Sequence, residues 1–263
     1  MIPTRVGALD VRVEGQGSVA VLWHSLYVDD ASWDRVAPLW SRTRRLVRIT
    51  GPGHGRSAPT TTPFTLDDCA AAAVEVLTAL RIHDRVDWVG NAWGGHVGVV
   101  FAAAHPDRMR TLAAFNSPMQ PLAASETRQA RLAERILRTL GAIGPVRRGV
   151  TSALLADGTR ADDPDAVAYV EGCLRAADPR ALANAIRSIS LERPDLRPLL
   201  PRVQAPALLV TSRDSVLWPR PLVAAAAASM PHATASVTRG GHLTPLESPD
   251  ETMILVAELW ARA

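Results

Sequence analysis

The chain has 263 residues, 47% hydrophobic and 21% charged, enough to bury one large core in a single domain of ordinary composition. Its formal charge of +3 rests on arginine alone, since no lysine occurs, and the arginines are interleaved with acids, which argues against a nucleic-acid partner. The longest small-residue run, Ala224–Ala228, is far too short to span a membrane, and Met1–Asp10 has no basic-then-apolar pattern of a secretion signal.

In chain order, Arg5–Glu14 predicts a hairpin. Ala20–Trp23, Leu46–Ile49, Val86–Val89 and Thr111–Phe115 predict buried strands, and Leu208–Thr211 and Ser236–Thr238 follow as strands later in the chain. Helical patterns fall between them at Trp33–Trp40, Leu66–Leu80, Trp93–Ala104, Leu222–Met230 and Pro249–Ala261. Strands alternating with helices predict an α/β fold with a mostly parallel sheet covered on both faces. The alternation breaks between Met119 and Pro201, where apolar residues keep helical spacing and Pro145, Pro164, Pro179 and Pro194 mark helix boundaries. So long a stretch exceeds one crossover. It predicts a helical cap at 119–201 over a core made of 1–118 and 202–263. The distant Cys69 and Cys173 are expected to be free thiols in a reducing cytoplasm.

The most specific motif is Gly90-Asn91-Ala92-Trp93-Gly94, an apolar strand running through a Gly-x-x-x-Gly turn into a small-residue helix. Such a strand-to-helix elbow exposes its central residue on a strained turn. Flanking glycines let the two elements approach, and the helix N-terminus offers N–H groups to a developing oxyanion. Here the central residue is alanine, which has no group able to attack.

With this elbow the chain resembles the α/β-hydrolase superfamily: its small esterases, enol-lactonases, carbon–carbon bond hydrolases and haloperoxidase-like members. His24-Ser25 resembles the His-Gly oxyanion motif with serine in place of glycine. Gly51-Pro52-Gly53-His54-Gly55-Arg56-Ser57 resembles the loop after the next strand. His105-Pro106-Asp107-Arg108 resembles the stretch after the elbow helix, and Gly241-His242-Leu243-Thr244-Pro245 the C-terminal histidine loop. The resemblance implies an α/β-hydrolase fold with catalytic positions Ala92 (nucleophile), Asp214 (acid) and His242 (base). It also implies oxyanion donors in the Leu26 and Trp93 amides, and no cofactor or metal. His24, Ser25 and Trp218 are expected at the substrate, and His54 as a brace for its glycine loop. His96 lies four residues after Ala92 and can share a helix face with it. Glu247 is expected to bind its own loop, and Asp163 and Asp165 are weaker candidates for the acid.

Three readings of Ala92 follow, in order of preference. One is a Ser-Asp-His hydrolase whose serine has been replaced by alanine. Another is a naturally serine-less enzyme using His242 and Asp214 as general acid and base in lyase, cyclase or water-activating chemistry. The third is a ligand-binding receptor. The expected partner is a small-molecule substrate, a medium-sized, mainly apolar ester, lactone or vinylogous ketone, with Leu132, Ile136, Leu154 and Leu155 as its apolar surround. No arginine is tied to the elbow by motif, so no strongly anionic group is expected. A homodimer is compatible with the composition.

Overall fold

The computed structural model describes residues 1–213, 215 and 217–262. Strands β1 (Ile2–Thr4) and β2 (Gly7–Leu9) form a separate antiparallel hairpin. The main sheet holds β3 (Val11–Glu14), β4 (Ser18–Trp23), β5 (Arg44–Ile49), β6 (Val86–Asn91), β7 (Met109–Phe115), β8 (Ala207–Ser212) and β9 (Ala233–Thr238), in the order β3-β5-β4-β6-β7-β8-β9. Only β3 runs antiparallel to its neighbour. The stretch 5–14 is thus split: its first half closes the small hairpin, and Val11–Glu14 crosses to pair with β5.

The helices are α1 (Ala37–Trp40), α2 (Leu66–Ala79), α3 (Trp93–Ala104), α4 (Ala124–Leu140), α5 (Gly144–Leu154), α6 (Asp157–Asp162), α7 (Pro164–Ala176), α8 (Pro179–Ile186), α9 (Arg220–Ala228), α10 (Thr244–Glu247) and α11 (Pro249–Trp260). The helical pattern of Trp33–Trp40 resolves into a 3₁₀ turn, Asp30–Trp33, and the single turn of α1. Helices α4–α8 all lie between β7 and β8. Among the described residues no helix is long and apolar enough to cross a membrane.

Side-chain alternation sorts the core into two layers. Val19, Val21 and Trp23 of β4 join Ala72, Val76, Val97 and Phe101 on one face. Ala20 and Leu22 join Trp33, Trp40, Val256 and Trp260 on the other. Central β6 is buried at every position, as a strand covered on both faces must be.

Two glycines set the approach of α3 to the sheet. A Cβ on Gly94 would sit 1.9 Å from the carbonyl oxygen of Trp23, and one on Gly90 2.1 Å from the carbonyl carbon of Gly94. The helix therefore begins directly against β4 and β6, at the C-terminal ends of the strands, where open α/β sheets place their sites.

Candidate active site

Ala92 caps α3 with φ +48° and ψ −103°. A residue bearing a Cβ reaches this region only under strain, of order 1–3 kcal/mol, and surrounding contacts must hold it there. They do: the Ala92 amide donates to the Phe115 carbonyl at 2.7 Å, and Gly94 N–H donates to the His24 carbonyl at 3.1 Å.

The loop after β4 is fixed by two neutral histidines. His24 Nε2 accepts from Gly51 N–H at 2.8 Å, which leaves Nδ1–H to donate to the Ser25 carbonyl at 2.6 Å. His54 Nε2 accepts from Tyr27 N–H at 3.3 Å and its Nδ1–H donates to the Pro52 carbonyl at 3.0 Å. Burial pushes His24 down to about 4 and His54 to about 3, so both rings are uncharged at neutral pH. Among the described residues the amides of Leu26 and Trp93 have no acceptor, and the buried Ser25 hydroxyl has no partner. Three donors thus stand unused around Ala92.

His242 enters from the loop between β9 and α10. Its carbonyl accepts from Asn91 Nδ2 at 3.0 Å and from Asn116 Nδ2 at 3.0 Å. Asn116 also bonds the Gly241 carbonyl at 3.1 Å and the Thr244 hydroxyl at 2.7 Å, while its Oδ1 accepts from Ser212 N–H at 2.9 Å. One side chain therefore joins the ends of β7 and β8 to the histidine loop. Asn116 was not singled out from the sequence; the available signal was an asparagine directly after a buried strand, here at φ +46°. Asp214, the expected acid, lies outside the described residues. The strand that leads to it ends with Arg213 N–H donating to the Thr238 carbonyl at 2.8 Å.

The inserted helices are bonded to the same loop. His242 N–H donates to the Leu154 carbonyl at 2.9 Å. Glu247 accepts from Ala156 N–H at 2.8 Å and from Leu243 N–H at 3.1 Å, so it holds its own loop and the start of α6 together. Asp163 takes both ends of the Arg35 guanidinium, at 2.5 and 3.0 Å, and Arg35 also reaches the Leu246 carbonyl at 2.8 Å. That clamp occupies Asp163, which the sequence had left as a weaker candidate for the acid.

A cavity of about 520 Å³ lies between α3 and the inserted helices. Ala92, His242, Ser25, Leu26 and Trp93 line its floor, with Leu132, Ile136, Val146 and Leu154 above. His96 and Arg193 form part of its wall. Three expectations need correction. His24 is fully buried behind the loop after β4, with both ring nitrogens engaged, and does not border the cavity. Trp218 is likewise fully buried, packed in the core beside β8, and its neighbour Leu217 lines the cavity instead. Leu155 turns into the core as well. Burial lowers the His242 imidazole to about 4, so the ring is available as a base at neutral pH. Among the described residues no cluster of metal-ligating side chains occurs.

A parallel sheet, a strained strand-to-helix elbow at its C-terminal edge and a histidine loop facing that elbow define the α/β-hydrolase class. The chain belongs to the alpha/beta hydrolase family, whose sequence pattern matches residues 20–253. It is 28% identical over 192 residues to the pimeloyl-[acyl-carrier protein] methyl ester esterase of Neisseria meningitidis, covering 72% of each protein. Its fold matches a thermophilic esterase from Thermogutta terrifontis with TM-score 0.89 at 23% identity, over 99% of this chain and 97% of that one. It matches the enol-lactonase from Burkholderia xenovorans LB400 with TM-score 0.89 at 21% identity, over 96% of each chain.

Proposed function

We propose that this chain carries the substrate pocket and the acid–base half of a hydrolase for a medium-sized, mainly apolar ester, lactone or ketone, with alanine at the position where serine would attack. The helices of 119–201 serve as its cap. One observation carries the reading: an elbow held at positive φ beside two unused backbone amides and an uncharged histidine, all facing one apolar cavity. That arrangement suits a tetrahedral oxyanion at the Leu26 and Trp93 amides, with His242 taking the proton of a hydroxyl at position 92. Asp214 is assigned to orient His242. With Ala92 the chain binds substrate and forms no acyl-enzyme. The relatives, named as esterases and lactonases, agree with this substrate class.

The test is Ala92→Ser, assayed against a panel of esters, lactones and vinylogous ketones. Activity should rise by about three powers of ten or more over the parent chain and disappear again when His242→Ala is added. No turnover of any acyl compound by the serine form would overturn the reading.

A second reading rests on the same neutral His242: non-covalent acid–base chemistry on a bound substrate or water. It requires the parent chain itself to be the efficient catalyst, and to lose about two to four powers of ten on His242→Ala. The two readings therefore part on one variant measured in two backgrounds.

A further inference from the structure

Arg193 stands on the wall of the cavity where the chain returns from the inserted helices to the core. It is 7% exposed. Its Nη2 donates to the Gln120 carbonyl at 2.6 Å, while its Nη1 is buried without a partner. No carboxylate among the described residues pairs with it. Glu192 and Asp195, the acids on either side of it in sequence, are taken by Arg187 and Arg197, each at 2.6 Å. Glu126, which borders the same cavity, is turned to the Ala123 amide at 2.7 Å. Burial lowers the guanidinium only to about 10, so it stays charged at neutral pH.

Asp195 and Glu126 act on this charge only from a distance, and a buried cation without a direct ion pair is costly, a cost that an anionic ligand in the cavity would offset. A second orphan lies on the same wall. His96 Nε2–H donates to the Pro118 carbonyl at 2.9 Å, leaving Nδ1 buried and unpartnered, and burial, with the Arg193 charge adding to it, holds this ring neutral. Leu122, Ile136 and Ile189 give this part of the cavity an apolar lining, in which Ser190, Gln129 and Glu126 are the further polar side chains.

We infer that Arg193 is an anion subsite of the cavity, and that the ligand carries a carboxylate at the end remote from its acyl group. This rests on the acyl-ligand reading of the same pocket and narrows it. A single guanidinium beside a neutral imidazole, with Glu126 nearby, suits a monoanion rather than a phosphate dianion. The apolar stretch between Arg193 and the elbow then accommodates the carbon chain, and Nδ1 of His96 remains open to a donor on the ligand.

The parent chain suits a direct binding test, because Ala92 cannot consume the probe. The probes are the monomethyl esters of the straight-chain diacids from glutaric to suberic, each paired with its dimethyl ester and titrated by calorimetry. At least one half-ester should bind about tenfold tighter than its diester, the size of one charge-assisted contact. Arg193→Gln should bring the two affinities level and leave the diester within about twofold of the parent. Arg193→Lys, which keeps the charge and the stem, should retain part of the preference, and it serves as the folded comparison should the glutamine form lose structure. A diester that binds as tightly as every half-ester overturns this inference alone. A preference that survives Arg193→Gln does the same. If neither probe type binds the parent chain, the acyl-ligand reading falls and this inference with it.

Discussion

At position 92 the backbone has already adopted the strained conformation that a nucleophile needs, although the side chain supplies none. The +48° φ of Ala92 is held by Phe115 and by the docking of α3, not by the residue's own preference. Glycine, which enters this region freely, should relieve the strain. Ala92→Gly is expected to raise the unfolding free energy by about 1 kcal/mol, read from urea titration. A decrease of similar size would mean that the elbow is unstrained as drawn. The elbow was legible because its chemistry is local, five consecutive residues whose types are dictated by one turn. So was His242, in a loop of recognisable composition. Asn116 and Arg193 were not legible, because their significance lies in what the fold brings to them: two strand ends and a histidine loop for one, an apolar cavity for the other. The same distance misplaced Trp218, since an aromatic after the acid strand reads equally well as pocket or core until packing decides. His24 failed in a different way. Its motif was right, but the ring spends both nitrogens on backbone and has nothing left for a substrate.

Between elements, the site depends on two kinds of junction. The first is steric. Helix α3 begins where a Cβ on Gly94 would meet the Trp23 carbonyl at 1.9 Å, and neither backbone can move without carrying the sheet or the loop after β4. Gly94→Ala should cost about 3 kcal/mol or more, at or beyond the upper end for overpacking, measured by denaturant titration. A loss below about 1 kcal/mol would show that α3 can slide. The second junction is polar and lies between the inserted helices and the histidine loop, through Leu154, Ala156 and the Arg35–Asp163 clamp. The Arg35 and Asp163 side chains are 33% and 26% exposed, so the clamp contributes modestly to global stability, about 1 kcal/mol at most. Its effect belongs to local order: Arg35→Ala should speed amide exchange in α6 and α7 while the protection of β4 and β6 stays put. Equal acceleration in the central strands would mean that the clamp supports the whole fold. The parallel strands β4 to β8 were readable as short apolar runs because both of their faces are covered, whereas β9, at the sheet edge, is largely exposed. The first hairpin and the Trp33–Trp40 segment were harder: β3 is recruited by a distant strand, and α1 is cut to one turn with Pro38 at its start.

Across the whole molecule, the buried histidines make stability depend on pH in a direction the structure fixes. His24, His54 and His96 are each at most 7% exposed, and burial holds all three below the ordinary imidazole value: His24 at about 4, His54 at about 3 and His96 well below 6.5. In the unfolded chain they titrate near 6.5. Below that pH the unfolded state binds protons that the folded state refuses, and unfolding is favoured as pH falls. Their contribution is therefore complete above about pH 6.5 and is lost progressively toward about pH 4, where the folded rings begin to take protons themselves. Each proton is worth about 1.4 kcal/mol per pH unit, so the three together set a slope of up to about 4 kcal/mol per pH unit in the middle of that window, and His242, lowered by burial to about 4, adds to it in the same direction. Asp30 opposes them, since its carboxyl is raised by burial, but it is one group against four histidines. The salt-bridged Asp163, Asp195 and Glu251 are lowered, and their contribution fails only at more acid pH, in a separate window. Urea titrations at pH 7.5 and pH 5 should thus show a marked fall in unfolding free energy, while the ring resonances of the three histidines keep their neutral-form shifts at pH 5. Protonated rings in a folded protein at pH 5, or equal stability at the two values, would mean that the loops around His24, His54 and His96 admit water. The oxyanion loop would then lack the rigidity on which the proposed chemistry depends.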